Sequence, residues 1–246
     1  AGYDSNVKRT IDGADGDSYL GAYLQYSRGA TGETRFDWTL ATSLDGNVFL
    51  KENDLSNVSI NFAPGIIFYP YLSWNINISP FVLGKVSSDN DQSALAFGAK
   101  INLRQPLNKY LYIGEYYVYT DSRAQTDVYS YTEHALGISL GINWTNTLFT
   151  EIAYEHSWGD SFITLESSDS VPTDGRGKQH NYSSVFKTEV YRDSVTRHSV
   201  GFTIGLELFP SMISSLSYTY SSMTGDIGTS DNHTVLVGIG YLFKTD

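Results

Sequence analysis

Alternation runs through this chain. From Thr234 to Phe243 the sequence reads TVLVGIGYLF, with Val235, Val237, Ile239, Tyr241 and Phe243 on one set of alternate positions. Thr234, Leu236, Gly238, Gly240 and Leu242 form the other set. One face is large and apolar and the other mostly small, and a period of two predicts a strand. The pattern recurs. Phe36, Trp38, Leu40, Thr42 and Leu44 alternate with Arg35, Asp37, Thr39 and Ala41. Val58 to Phe68 and Trp74 to Leu83 alternate likewise, with Lys85 continuing the polar set of the second. Leu95, Phe97, Ala99, Ile101 and Leu103 oppose Ala96, Gly98, Lys100, Asn102 and Arg104. Leu148, Thr150, Ile152, Tyr154 and His156 oppose Phe149, Glu151, Ala153 and Glu155. Val200 to Leu208 places Glu207 with Gly201, Thr203 and Gly205. Between Tyr110 and Tyr119 both sets are apolar or aromatic. Placing Leu111, Ile113, Glu115, Tyr117 and Tyr119 on the polar wall is the expectation there. With Leu136–Trp144, Leu216–Tyr220, Ser18–Tyr26 and a short start at Ala1–Asn6, the pattern predicts twelve strands.

The connections alternate in length. Arg28–Glu33, Pro70–Leu72, Gln105–Lys109, Thr145–Asn146 and Pro210–Met212 read as short turns. Asp45–Asn57, Asp121–Tyr131, Gly159–Thr196 and Thr224–Asp231 read as longer polar loops, residues 159–196 being the longest, with its stretch HNYSSVFKTEVYR, residues 180–192, extending as strand or forming a protruding hairpin. Pro64 and Pro80 lie inside strand patterns. Each removes a ladder donor, so both predict a local break in pairing.

Alternation does not by itself say which face is inside. Three features favour the apolar face outward. The small set is rich in Gly, Ser, Asn and Thr, as a wet lumen would be, and not in the Lys and Glu of a soluble surface. Aromatics cluster at strand ends, at Tyr69, Tyr71 and Trp74, at Tyr110 and Tyr112, and at Trp144, where amphipathic rings suit a lipid–water boundary. Charge is nearly absent from the apolar face. A sheet with an apolar outside must close, because an open edge cannot be satisfied in lipid.

Composition narrows the reading. The chain has 246 residues, 19 of them Tyr, and no internal linker, which predicts one domain over residues 1–246. No run approaches the length of a membrane helix, and barrel strands need none. A net charge of −11 argues against nucleic acid as a partner. The absence of cysteine excludes disulfides and thiolate–metal sites, and no histidine spacing suggests a metal or cofactor. The polar start AGYDSNVKRT is what a cleaved or trimmed chain would show. The acidic turn IDGADGD, residues 11–17, lacks the remaining ligands of a calcium loop and reads as a solvated turn.

The C-terminal strand resembles the closing strand of Gram-negative bacterial outer-membrane β-barrels. In that resemblance Tyr241 and Phe243 form the assembly signal. It implies an all-β, transmembrane, antiparallel up-and-down barrel with short periplasmic turns, long extracellular loops and both termini periplasmic. It also implies contact with outer-membrane lipid, lipopolysaccharide and the barrel-assembly machinery. GYDSNV, at residues 2–7, resembles the opening of outer-membrane barrel domains attached to tetratricopeptide or exopolysaccharide-export proteins, which implies a periplasmic export or scaffold component as a partner.

Function then depends on the lumen. The wall residues predicted to line it are Arg35, Asp37, Lys85, Lys100, Arg104, Glu115, Glu151, Glu155 and Glu207. Their segregation into basic and acidic arcs suits a channel or export conduit for small solutes or a secreted polymer. The bland alternative is that these charges pair and close the lumen. A receptor or structural barrel would act through its loops instead. An enzyme is disfavoured. The chain is similar in size to the twelve-stranded outer-membrane phospholipase, but Tyr3–Asp4–Ser5–Asn6 has no His before Asp. His156 and Ser157, and Glu133 and His134, are adjacent on strands and so point to opposite faces. No catalytic residue is therefore assigned.

Overall fold

The computed structural model describes residues 1–11, 16–29, 34–71, 74–165 and 180–241. Thirteen strands follow in order: β1 Gly2–Asp4, β2 Asp17–Gly29, β3 Phe36–Phe49, β4 Asn57–Phe68, β5 Asn75–Ser87, β6 Ala94–Pro106 and β7 Leu111–Ala124. Then come β8 Tyr131–Asn143, β9 Leu148–Thr164, β10 His180–Ser183, β11 Thr188–Phe209, β12 Met212–Gly225 and β13 Thr229–Tyr241. Every sequential neighbour pairs antiparallel except around β10. There β11 pairs with β9, and β1 pairs with both β2 and β13. The result is a closed twelve-stranded barrel, with β10 added on the upper part of β11.

The wall is sorted as the alternation predicts. Leu24, Trp38, Ile60, Ile78, Phe97, Ile138, Phe202 and Ile239 are all exposed on the outside. Small and polar residues face in. In water so much exposed aliphatic surface would be an aggregation hazard; in a bilayer it is the surface that lipid requires. The ring closes through the three residues of β1, which pair with Asp17–Tyr19 of β2 and Thr234–Leu236 of β13. At the predicted weak point, Phe62 pairs with Val82 and Ile66 with Ile78, but no pairs form between them. Pro64 and Pro80 face each other across that gap, each without an N–H.

The connections at one end are short, at 30–35, 69–74, 107–110, 144–147 and 210–211. At the other end the strands run further than expected. β3 continues to Phe49 and β7 to Ala124, and β12 and β13 leave only 226–228 between them. Among its described residues the predicted loop over 159–196 is mostly strand: β9 reaches Thr164, and β10 and β11, which starts at Thr188, form the hairpin expected at 180–192. The period-two signal fades there because both faces meet polar surroundings, yet the backbone goes on pairing.

Three connections at this end share one design. Single 3-10 turns at Asn53–Leu55, Asn90–Gln92 and Asp127–Tyr129 are each followed by a serine. Ser56, Ser93 and Ser130 accept through Oγ the N–H of Phe49, Ser87 and Ala124, at 3.1, 3.1 and 2.9 Å. Each turn is tied to the next by backbone bonds such as Ser88 N–H to Ser56 O and Gln125 N–H to Ser93 O. The rim is therefore a linked girdle.

Candidate solute pathway

The first structural surprise lies just after β1. The chain does not continue along the wall. It turns inward, and Asn6 to Ile11 cross the lumen near the loop end. Asn6 is almost wholly buried. Its amide donates to Thr10 O and Ser230 Oγ, both at 3.0 Å, and its Oδ1 accepts Thr10 N–H at 2.9 Å. The far end is fixed by a parallel bridge between Thr10 and Thr164 and by an ion pair of Lys8 with Glu52 at 3.1 Å. Arg9, at positive φ, hydrogen-bonds Ser161 and stands 4.5 Å over the Phe162 ring.

Arg9 divides the upper lumen. Cavities of about 250 and 200 Å³ lie beside it, and both are lined by Arg9, Lys85, Gln92, Phe162 and Arg197. Arg197 donates to Glu133 at 2.8 Å and to Glu155 at 3.3 Å, so its charge is matched. Among the described residues no carboxylate comes within ion-pair distance of Arg9 or Lys85. Burial, and then the nearby Arg197 charge, push the Arg9 guanidinium below its ordinary range. The constriction is thus a desolvated cationic site. An apolar cluster of Leu55, Val128, Tyr129, Phe186 and Val190 packs beside it at the loop end, with Val7 of the crossing segment against the cluster.

Lower down the charges are arranged in relays. Tyr116 lies across Gly137 and Tyr112 across Gly141; a Cβ at either glycine would come within 2.2 and 2.0 Å of the ring. Tyr112 and Tyr116 donate to Glu151 and Glu155 respectively. Arg104 stands 4.1 Å over the Tyr112 ring and Lys100 5.1 Å over that of Tyr116. Tyr112 and Tyr116 of β7 thereby each join a cation of β6 to a carboxylate of β9 across a glycine of β8. The acidic and basic arcs are coupled.

Lys85, Lys100, Arg104, Glu151 and Glu155 all meet at this inner wall. Asp37 lies on the inner face beside Ile67 and Asn77, and Glu207 on that of Thr203 and Gly205. Arg35 is exposed just before β3, at the short-turn rim. Glu115 is a correction. It pairs with Leu103 and Ile138 on the outer face and is exposed there. Register with β6, which sets Lys100 against Val118 and Arg104 against Gly114, puts Tyr112 and Tyr116 inside instead. Tyr241 is exposed on the outer wall; Phe243 lies outside the described residues. Sequence reasoning passed over Arg9, Glu133 and Arg197. Parity with Ser199 and Gly201 would have found Arg197, but nothing local marks Arg9. Ser157 is buried inward and donates to Glu133 at 2.9 Å, whereas His156 lies on the outer wall, so the pair is split as adjacency on a strand requires.

No family model matches the chain. No curated protein matches it. Solved structures do. A structure of the NanC porin aligns over 98% of this chain and 97% of its own, with 12% identity and a TM-score of 0.55. It has the fold of the outer-membrane porins. A KdgM porin in complex with disordered oligogalacturonate aligns over 92% and 100% of the two chains at 9% identity, TM-score 0.48. LpxR from Salmonella typhimurium aligns over 90% and 88% at 12% identity, TM-score 0.41.

Proposed function

We propose that this barrel is an outer-membrane channel for small polar solutes, oriented with its loop end outside the cell and both termini periplasmic. The observation that carries the reading is the constriction. Two cavities of about 250 and 200 Å³ meet at Arg9 and Lys85, neither of which has a described carboxylate within ion-pair distance, while Arg197 is matched by Glu133 and Glu155. A desolvated cation in a narrow bore attracts anions and repels cations. The channel therefore prefers anionic solutes, and Asn6–Ile11 acts as its gate. Single-channel recording in a planar bilayer tests this. The native barrel should conduct with anion preference, and Lys85→Glu should reduce or reverse that preference. Absence of conductance from a folded barrel would overturn the channel.

The apolar cluster of Phe186, Val128 and Leu55 favours a second reading, a receptor acting through its loop end. A receptor would lose ligand on changes at this surface and be indifferent to Lys85→Glu.

A further inference from the structure

The outer wall carries an arrangement that the channel reading leaves unused. His134, His156, His198 and His233 all lie on the outside, at the loop end of the apolar band. Three of them repeat one motif. Tyr117 meets Nδ1 of His134 at 2.7 Å, Tyr154 meets His198 at 2.7 Å and Tyr218 meets His233 at 2.8 Å. In each, the tyrosine sits diagonally below its histidine on a paired strand: β7 on β8, β9 on β11, β12 on β13. Rings join the first two motifs. His134 stacks on Trp158 at 5.4 Å, Trp158 meets His156 at 5.5 Å, and His156 meets His198 at 4.7 Å.

The level is defined by the neighbours. Below the histidines the outward residues are Leu136, Ile138, Ile152, Val200 and Val235. Above them come Asp121, Thr132, Thr196 and Asp231. The arc is one-sided. On β3 to β6 the outward aliphatics Val48, Val58, Val86 and Leu95 run up to the connections with no such rings. A girdle serving only as an interfacial anchor would encircle the barrel.

We propose that this arc binds the phosphorylated saccharide headgroup of an outer-leaflet glycolipid. We assign the tyrosine hydroxyl as the donor to Nδ1 in each pair, which leaves the ring proton on Nε2. Each motif then presents an Nε2–H donor at headgroup depth, which suits a phosphate oxygen. The other charges facing this level are Asp231, which accepts from Tyr220 at 3.1 Å, and Arg123, 77% exposed and bonded to Asp121 at 3.3 Å. Arg123 and Asp121 match one another, so recognition falls to the Nε2–H donors. The aromatic rings supply flat, half-polar surface for the sugar.

The proposal rests on the orientation given above, so two measurements are made. The first is native mass spectrometry of the purified barrel with bisphosphorylated lipid A, its dephosphorylated form, and phosphatidylglycerol. Bisphosphorylated lipid A should be retained at least tenfold over the other two. The combined H134Q, H198Q and H233Q variant should lose that preference while keeping its β-sheet circular dichroism. Equal retention by variant and native protein overturns the site, and equal retention of phosphatidylglycerol overturns the glycolipid assignment. If the combined variant does not fold, H233Q alone, at an exposed position, should lose about a third of the retention, and no loss overturns the site. The second is labelling of Asp54→Cys on intact cells with an impermeant maleimide. Labelling supports the orientation. Protection until permeabilisation overturns the orientation and the outer-leaflet assignment, whatever the lipid assay in detergent reads.

Discussion

Arg9 stands 4.5 Å above the ring of Phe162, although one belongs to the segment after the first strand and the other to the ninth. That contact carries the chain across the bore and sets a cation where the two upper cavities meet. Removing the side chain should open the path. Arg9→Ala is expected to raise single-channel conductance severalfold and weaken anion preference. Unchanged conductance would mean that ions take another route.

Asn6 holds the other end of the crossing. It is nearly fully buried and uses both ends of its amide. Asn6→Ala leaves Thr10 N–H and Thr10 O without their partner, at a cost of about 1–3 kcal/mol. That cost falls on the segment and spares the barrel. The expected outcome is faster proteolytic cleavage near Val7–Arg9 with unchanged global melting. Equal cleavage rates would show that the clamp is not what holds the segment.

Arg197 joins Glu133 and Glu155. Replacing it with Met strands two half-buried carboxylates beside each other. A loss of roughly 1–3 kcal/mol is expected for a pair of this exposure, since full burial would cost more. Glu133→Gln should recover part of the loss in the double variant. Urea unfolding in lipid vesicles measures both, and simple additivity would argue against the coupling.

Glu115 gives the sharpest check on wall phase. It faces out between Leu103 and Ile138. Glu115→Leu should therefore keep selectivity and hold or raise stability, by up to about 2 kcal/mol for an acid removed from the lipid face. Glu155→Leu, which removes the partner of Arg197 and Tyr116, should lower stability and alter selectivity. A selectivity change in Glu115→Leu would place that residue in the pore.

Legibility followed the kind of neighbour each residue meets. Trp38, Ile60, Phe97 and Ile239 are exposed on the outer wall, and apolar character alone assigns them outward. On β7 both alternate sets are apolar or aromatic, so hydrophobicity could not choose between Glu115 and Tyr116. Pairing with Lys100 and Arg104 on β6 chose. The strand extensions up to Phe49, Ala124 and Thr164 read as loops in the sequence because the alternation of an apolar outer wall ends below them.

The sequence by itself determined the twelve-stranded closed barrel, the position of its short turns, its apolar outside and the break at Pro64 and Pro80. These depend on period and on single-residue chemistry, which any window of the chain displays. Only the tertiary structure decided that Asn6–Ile11 enters the bore, that Arg197 meets Glu133 and Glu155, and that Tyr116 links Lys100 to Glu155. Those contacts join residues distant along the chain, and closure of the sheet, not any local pattern, brings them together.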